Sequence, residues 1–268
     1  MTIVIKMGDR VINSVLSEST LNDLAKVTNQ TPTVLVHGGG DTVTSIAEKL
    51  GVHQSFVTSP EGFRSRYTDS ETIQVYTMVM AGKINKEIVR HLQSRKIPAI
   101  GLCGLDGALI RAERKQKLIV KDERGRRRII DGGYTGKITN VDHLLLQTLL
   151  ISGYVPVVAP IALGSENESL NLDGDRTAAY VAGALRANLL LLLTDVEGVS
   201  LDGGVVSRLS AAEAKRRIPD LGPGMITKLY AALEALSMGV RKVTISSGHS
   251  ENPFTSAIQE QAGTVIEA

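Results

Sequence analysis

The chain has 268 residues, of which 43% are apolar, 3% are aromatic and none is Trp, so a sizeable core has to be built from Val, Ile, Leu and Ala. Its lone cysteine, Cys103, excludes an intrachain disulfide and a cysteine metal cluster and fits a reducing compartment. A net charge of only +2 argues against a nucleic-acid binder, and the lack of any run of about eighteen apolar residues argues against a membrane partner.

Short apolar runs alternate with helical patterns along the chain. Strands are expected at Ile3–Lys6, Thr33–His37, Ala99–Leu102, Val155–Ala159, Leu189–Thr194 and Lys242–Ser246. Their interiors are almost wholly apolar, as in parallel strands covered on both faces. Helices are expected at Leu21–Thr28, Thr42–Leu50, Ser70–Ser94, Val141–Ser152, Arg176–Leu185, Ala211–Arg217 and Ile226–Ser237. This alternation predicts an α/β fold with a parallel sheet, right-handed crossovers and helices on both sides. Ligands in such sheets bind beyond the carboxyl ends of the strands. The chain enters its first strand at once, leaving no room for a signal peptide, so a cytoplasmic protein is expected.

One segment breaks the alternation. Leu109–Gly136 reads as containing a hairpin: Lys117–Lys121, a turn at Asp122-Glu123-Arg124-Gly125, then Arg126–Asp131. From Arg111 to Arg128 nine cations face three acids, a local charge of +6 that leaves −4 on the remainder. Such a basic excess suggests one acidic partner; the bland alternative is a solvated edge.

Several loops have the chemistry of ligand sites. Gly38-Gly39-Gly40 leads from a strand into a helix. It reads as an anion site built on backbone N–H groups, or as a flexible turn; three glycines are conformationally costly for a mere turn. No Walker A loop or dinucleotide GxGxxG fits, since Gly136-Lys137 has Asp131 and Ile138 where the former needs Gly and Ser/Thr. Lys6 ends the first strand beside Gly8, as an edge residue reaching solvent or as a ligand contact. Arg64 and Arg66 lie in a loop ahead of the Ser70 helix, where Asp69 or Ser70 is its cap. Asn171-Leu172-Asp173-Gly174-Asp175 opens another helix, with acids that are caps or organisers of lysines or Mg²⁺. Thr194-Asp195 follows a buried strand, and Lys228 sits in the first turn of a helix opened by Gly222-Pro223-Gly224-Met225.

Taken in order, these motifs resemble the amino acid kinase family over essentially the whole chain. The set is Val4-Ile5-Lys6-Met7-Gly8, Val36-His37-Gly38-Gly39-Gly40, Gly62-Phe63-Arg64, Asn171-Leu172-Asp173-Gly174-Asp175, Leu193 to Val199, and Gly224-Met225-Ile226-Thr227-Lys228. Within the family the match is to the acetylglutamate kinase group. It is closer still to the LysZ-type branch, which phosphorylates glutamate or 2-aminoadipate held on the acidic carrier LysW.

The resemblance implies an open αβα sandwich with a central, mainly parallel sheet. It implies a single domain over 1–268, with a substrate lobe at about 1–175 and a nucleotide lobe at about 176–268. ATP would be the phosphoryl donor, with Mg²⁺. Lys6 and Lys228 would stabilise the phosphoryl group in flight and Asp175 would orient them. Gly39, Gly40, Arg64 and Asn171 would bind the acceptor; Gly8, Thr194, Asp195, Gly224 and Met225 would border the nucleotide. Arg64 to Asp69 resembles a carrier-dependent substrate loop, and Arg124, Arg126, Arg127 and Arg128 would dock the carrier. The long Ser70–Ser94 helix would offer a homodimer face. One departure from the family pattern stands out: the usual glycine after Gly8 is Asp9. Two other readings remain at this point: a kinase of free N-acetylglutamate, and a non-catalytic nucleotide-binding or storage protein on the same fold.

Overall fold

A computed structural model of the protein describes residues 1–12, 16–122 and 124–268. Its centre is an eight-stranded sheet. The order is Arg208–Ser210, Thr264–Glu267, Lys242–Ser247, Leu189–Thr194, Ile3–Met7, Thr33–His37, Val155–Ala159 and Ala99–Cys103. The last six run parallel, and Thr264–Glu267 pairs antiparallel with Lys242–Ser247, which makes the sheet mainly parallel. All six expected strands are present, with ends shifted by at most one residue.

Two apolar cores cover the two faces. Ile3, Ile5 and Met7 join the core packed by the helices Glu18–Gln30, Gly40–Lys49, Ser70–Thr77, Asn85–Ser94 and Pro253–Ile258. Val4, Val34 and Val36 join the opposite core, packed by Gly174–Ala184, Ala211–Arg217 and Pro223–Ser237. Successive side chains of a strand point to opposite faces. Lys6 therefore shares the face of Val4, and at the strand's end it turns toward the start of helix Gly174–Ala184. This periodicity decides which helix can supply its partner.

The expected Ser70–Ser94 helix is continuous but has a π-helical middle, Met78–Ile84. Such wide turns interrupt α-helices mostly near functional sites. This one packs on the glycine triplet: a β-carbon at Gly39 would come within 2.2 Å of Ile84 and 2.8 Å of Met80.

The hairpin forms as expected, with Lys117–Lys121 antiparallel to Arg127–Asp131 and Gly125 at φ 73° in its turn; Glu123 of that turn lies outside the described residues. Around it the structure adds a four-stranded sheet of Ser169–Asn171, Ile161–Leu163, Ile110–Arg114 and Gly136–Val141. The segment expected to be a loop carrying Arg64 and Arg66 is instead a second hairpin, Ser55–Thr58 with Arg64–Tyr67. Its strand Ser55–Thr58 packs against Lys117–Lys121 of the basic hairpin.

Candidate active site

The carboxyl ends of the three central strands converge. Met7 registers with both His37 and Leu193, so Gly8, Gly38 and Thr194 emerge side by side. Gly8 donates its N–H to the Leu193 carbonyl at 3.0 Å, and a β-carbon there would lie 2.9 Å from that same oxygen. Any larger residue would push the first loop off the sheet. His37 is fully buried, and burial pushes its pKa down to about 4, leaving the ring neutral. Its Nε2 faces the Asn85 amide nitrogen at 3.3 Å, so Nδ1 carries the proton and donates to the Gly38 carbonyl at 2.8 Å. A neutral imidazole thus fixes the glycine triplet. Gly39 sits at φ 151°, which together with Ile84 and Met80 requires glycine.

Two lysines meet on one carboxylate. Lys6 Nζ lies 2.8 Å from Asp175 Oδ1, and Lys228 Nζ donates to Asp175 Oδ2 at 3.0 Å. The side chains of Lys6, Asp175 and Lys228 are 9%, 6% and 13% exposed, so water screens them little. Burial opposes ionisation of Asp175, but the two ammonium groups outweigh it and hold its carboxyl well below the usual carboxylate range. Burial likewise works against the charge of Lys228, and Asp175 overcomes it, raising the lysine's pKa. Two cations on one anion leave a net positive centre, the complement of an incoming phosphoryl group.

The two acids of Asp173-Gly174-Asp175 divide the work. Asp173 caps the helix, accepting from the Arg176 N–H at 2.9 Å, which frees Asp175 in the first turn for the lysines. Arg176 then grips Glu234 through both Nε and Nη2, tying the Asp175 helix to the Lys228 helix.

A cleft of about 460 Å³ opens on this centre, a size within the range of small-ligand sites. Both lysines line it, and so do Gly8, Thr194, Asp195, Gly224 and Met225, the full set expected at the nucleotide. Thr194 donates to Asp195 at 3.1 Å, and the Arg10 guanidinium, 2.8 Å away, holds the Asp195 carboxyl below its usual range.

The residues expected at the acceptor lie outside that lining. Asn171 donates from its amide to Thr68 at 2.8 Å, joining its strand to the end of the arginine hairpin. Arg64 is exposed, its guanidinium 4.5 Å above the Phe56 ring. Arg66 is buried instead; it donates to the Gly40 carbonyl at 2.7 Å and to Thr44 at 2.9 Å. Asp69 caps the following helix through Thr72 at 2.8 Å, as one of the two sequence options had it. Of the four hairpin arginines, Arg126 and Arg128 share Asp122 at 3.2 and 3.1 Å, whereas Arg124 and Arg127 form no ion pair among the described residues.

The structure also supplies contacts that the motifs did not signal. The Phe63 ring meets Tyr230, with centroids 4.9 Å apart, clasping the arginine hairpin to the Lys228 helix. His37, Arg66 and the Arg176–Glu234 pair are further supports. His37 and Arg66 stood within the motifs without a stated role, and the Arg176–Glu234 pair had no sequence signal beyond the nearness of Arg176 to Asp175.

Known proteins resemble this chain in sequence and in fold. The chain is 49% identical to the LysW-aminoadipate/LysW-glutamate kinase of Sulfurisphaera tokodaii over 98% of this chain and 99% of that one. It is 47% identical to the protein of that name from Saccharolobus solfataricus, over 98% of both chains. A protein of Cenarchaeum symbiosum that bears the name provisionally is 53% identical over 98% of both. Among solved structures, the Streptococcus mutans protein smu.665 superposes with a TM-score of 0.81 at 23% identity, covering 100% of this chain and 98% of that one. N-acetylglutamate synthase of Neisseria gonorrhoeae superposes at 0.80 and 24% identity, covering 100% of this chain and 59% of the other. At those identities the likeness establishes the fold alone. The profile of the amino acid kinase family matches residues 1–247. With its paired lysines, glycine triplet and mainly parallel sheet, the chain belongs to the amino acid kinase family.

Proposed function

We propose that this chain is an ATP-dependent carboxylate kinase that phosphorylates the side chain of 2-aminoadipate or glutamate carried on a LysW-type protein, giving an acyl phosphate. The observation that carries the acceptor is identity of 47–53%, over almost the full length, to proteins named for that substrate. The chemistry is supported by the Lys6–Asp175–Lys228 bridge beside the cleft.

The acceptor carboxylate is already ionised near pH 7, so no general base is needed. Its oxygen attacks the γ-phosphorus in line as the bond to the ADP oxygen breaks. Lys6 and Lys228 neutralise charge on the transferring oxygens, and Asp175 holds the two ammonium groups in register for it. The net positive, poorly solvated centre fits a nucleotide's phosphates. Mg²⁺ would neutralise those phosphates further, with Asp41 and Asp195 in the lining to face its water shell. Gly39 and Gly40 would hold the acceptor or γ-phosphate through their N–H groups, and Arg64 and Asn171 would bind the acceptor.

The basic hairpin would dock the acidic carrier. Its strand abuts the arginine hairpin, so a docked carrier could deliver its amino acid along a short path. Ile119 and Ile129, opposite one another and 53% and 68% exposed, supply an apolar contact between the arginines. Residues 1–175 would form the acceptor side and 176–268 most of the nucleotide side. A cytoplasmic homodimer serving lysine, and also arginine, biosynthesis completes this reading; Met78, 58% exposed on the long helix, favours that helix as the dimer face.

The test is ADP release with purified carrier bearing each amino acid, against free N-acetylglutamate. Carrier-dependent release supports the proposal. Equal or faster turnover of free N-acetylglutamate would overturn it in favour of the small-molecule kinase.

A further inference from the structure

Asp9, where the resemblance expects a second glycine after Gly8, has a definite place. Its Oδ2 accepts the backbone N–H of Asp41, the second residue of helix Gly40–Lys49, in a short hydrogen bond. The helix has no side-chain cap of its own, because its N-cap residue is Gly39. The first N–H groups of a helix need a partner, and a carboxylate there also meets the positive end of the helix dipole. Asp9 thus supplies from the neighbouring loop the cap that the glycine triplet lacks. The carboxylate stands directly over the triplet: a β-carbon at Gly40 would lie 3.9 Å from the same Oδ2. It also lines the cleft with Lys6 and Lys228. Burial raises the pKa of its carboxyl, and the N–H of Asp41 opposes that rise, so the carboxylate is held over the helix start at a cost in desolvation.

We propose that Asp9 is a resident anion of the phosphate site, holding the start of helix Gly40–Lys49 and competing with the nucleotide's phosphates for it. A helix N-terminus fits one anion, and a second beside it is repelled. Binding of nucleotide then requires the Asp9 carboxylate to leave Asp41. Its occupancy tunes affinity for the triphosphate downward.

The test is calorimetric titration of the full chain with the non-hydrolysable analogue AMP-PNP, without acceptor, with and without Mg²⁺. Wild type, Asp9→Gly and Asp9→Asn are compared. Asp9→Gly is expected to bind about 2- to 30-fold more tightly, the factor that corresponds to a cap of about 0.5–2 kcal/mol at 1.4 kcal/mol per tenfold. Asp9→Asn should shift in the same direction by less, because its amide oxygen can still accept from Asp41. It also guards against the loss of stability that Asp9→Gly would bring. Unchanged or weaker binding by both variants would overturn the proposal. So would a loss of affinity confined to the Mg²⁺ titration, which would make Asp9 a metal ligand. The inference rests on the cleft being the nucleotide site: a wild type that binds no AMP-PNP sinks that reading, whereas normal wild-type binding with unchanged variants sinks this inference alone.

Discussion

Lys6 and Lys228, one at the end of the first strand and the other in the second turn of the helix Pro223–Ser237, are held by opposite oxygens of a single carboxylate, at 2.8 and 3.0 Å from Asp175. The pairing explains how two cations can stand side by side with little water. Each is neutralised on one flank, and both present the other flank to the cleft.

The pH dependence of this triad follows from the directions of its shifts. Asp175 is depressed: burial opposes its charge, but the two lysines outweigh burial. Its contribution to stability is present above the unfolded value of about 3.9 and is lost only as pH falls through the lower folded value. Lys228 is raised, Asp175 outweighing burial, so its contribution is present below the unfolded value of about 10.4 and is lost as pH rises through the folded one. Neither group titrates between about pH 5 and 9. Asp175→Asn leaves two buried ammonium groups with no anion, and we expect it to cost about 3–5 kcal/mol by chemical denaturation. The cost is read at pH 7, and a cost below about 1 kcal/mol would contradict the assignment.

Glu234 should act through Arg176 without touching the reactants. Glu234→Gln keeps the shape of the pair and removes its charge, so the Asp175 and Lys228 helices lose their register. We expect kcat to fall by about tenfold, short of the ~10²-fold cost of a 1 Å misplacement. KM for nucleotide should stay within about twofold, since uniform binding is untouched. Steady-state kinetics with varied ATP checks this; a raised KM at unchanged kcat would place Glu234 in nucleotide binding instead.

Carrier docking calls for variants that leave the hairpin intact. Arg126 and Arg128 share Asp122, whose carboxylate also accepts the Arg124 and Arg126 backbone N–H groups, so reversing those two arginines would disturb the turn. Arg124→Glu with Arg127→Glu is the cleaner pair. At low ionic strength it should raise KM for the carrier-borne substrate by about tenfold, with kcat held, and the difference should shrink in high salt. A salt-independent effect, or none, would remove the hairpin from docking.

The Phe63–Tyr230 contact predicts coupling between the arginine hairpin and the Lys228 helix. Offset or tilted aromatic pairs contribute about 0.5–1.5 kcal/mol beyond their buried area. Tyr230→Ala should therefore lower kcat/KM for the acceptor by about 2- to 12-fold, and Tyr230→Phe should restore it, since the hydroxyl takes no part in the ring contact. Failure of phenylalanine to rescue would point to the hydroxyl.

Much of the fold was legible because the central strands are buried on both faces and read as unbroken apolar runs, as at Leu189–Thr194. The strands that went unseen, such as Arg64–Tyr67 and Thr264–Glu267, are short and lie in a two-stranded hairpin or toward the sheet's edge, where pairing comes from tertiary partners and not from local pattern. Lys6 and Lys228 were marked by glycines near them. Their meeting on Asp175 depends on strand register and helix packing, which no local window contains. Arg64 and Arg66 look equivalent in sequence and share one strand face, both over the Phe56 ring, yet only Arg66 lies against Gly40 and Thr44 and is buried there. Asp9 was visible as a departure, while its direction was set by the helix start beside it.

The measurement that tests the clamp most directly is single-turnover phosphoryl transfer from ATP to the carrier-borne acid, in wild type, Lys6→Met and Lys228→Met, at saturating concentrations of both substrates. Because the lysines are assigned to charge that develops during transfer, each variant should slow the chemical step by about 10²- to 10³-fold, while AMP-PNP binding weakens much less. Transfer at near wild-type rates in either variant would contradict the clamp.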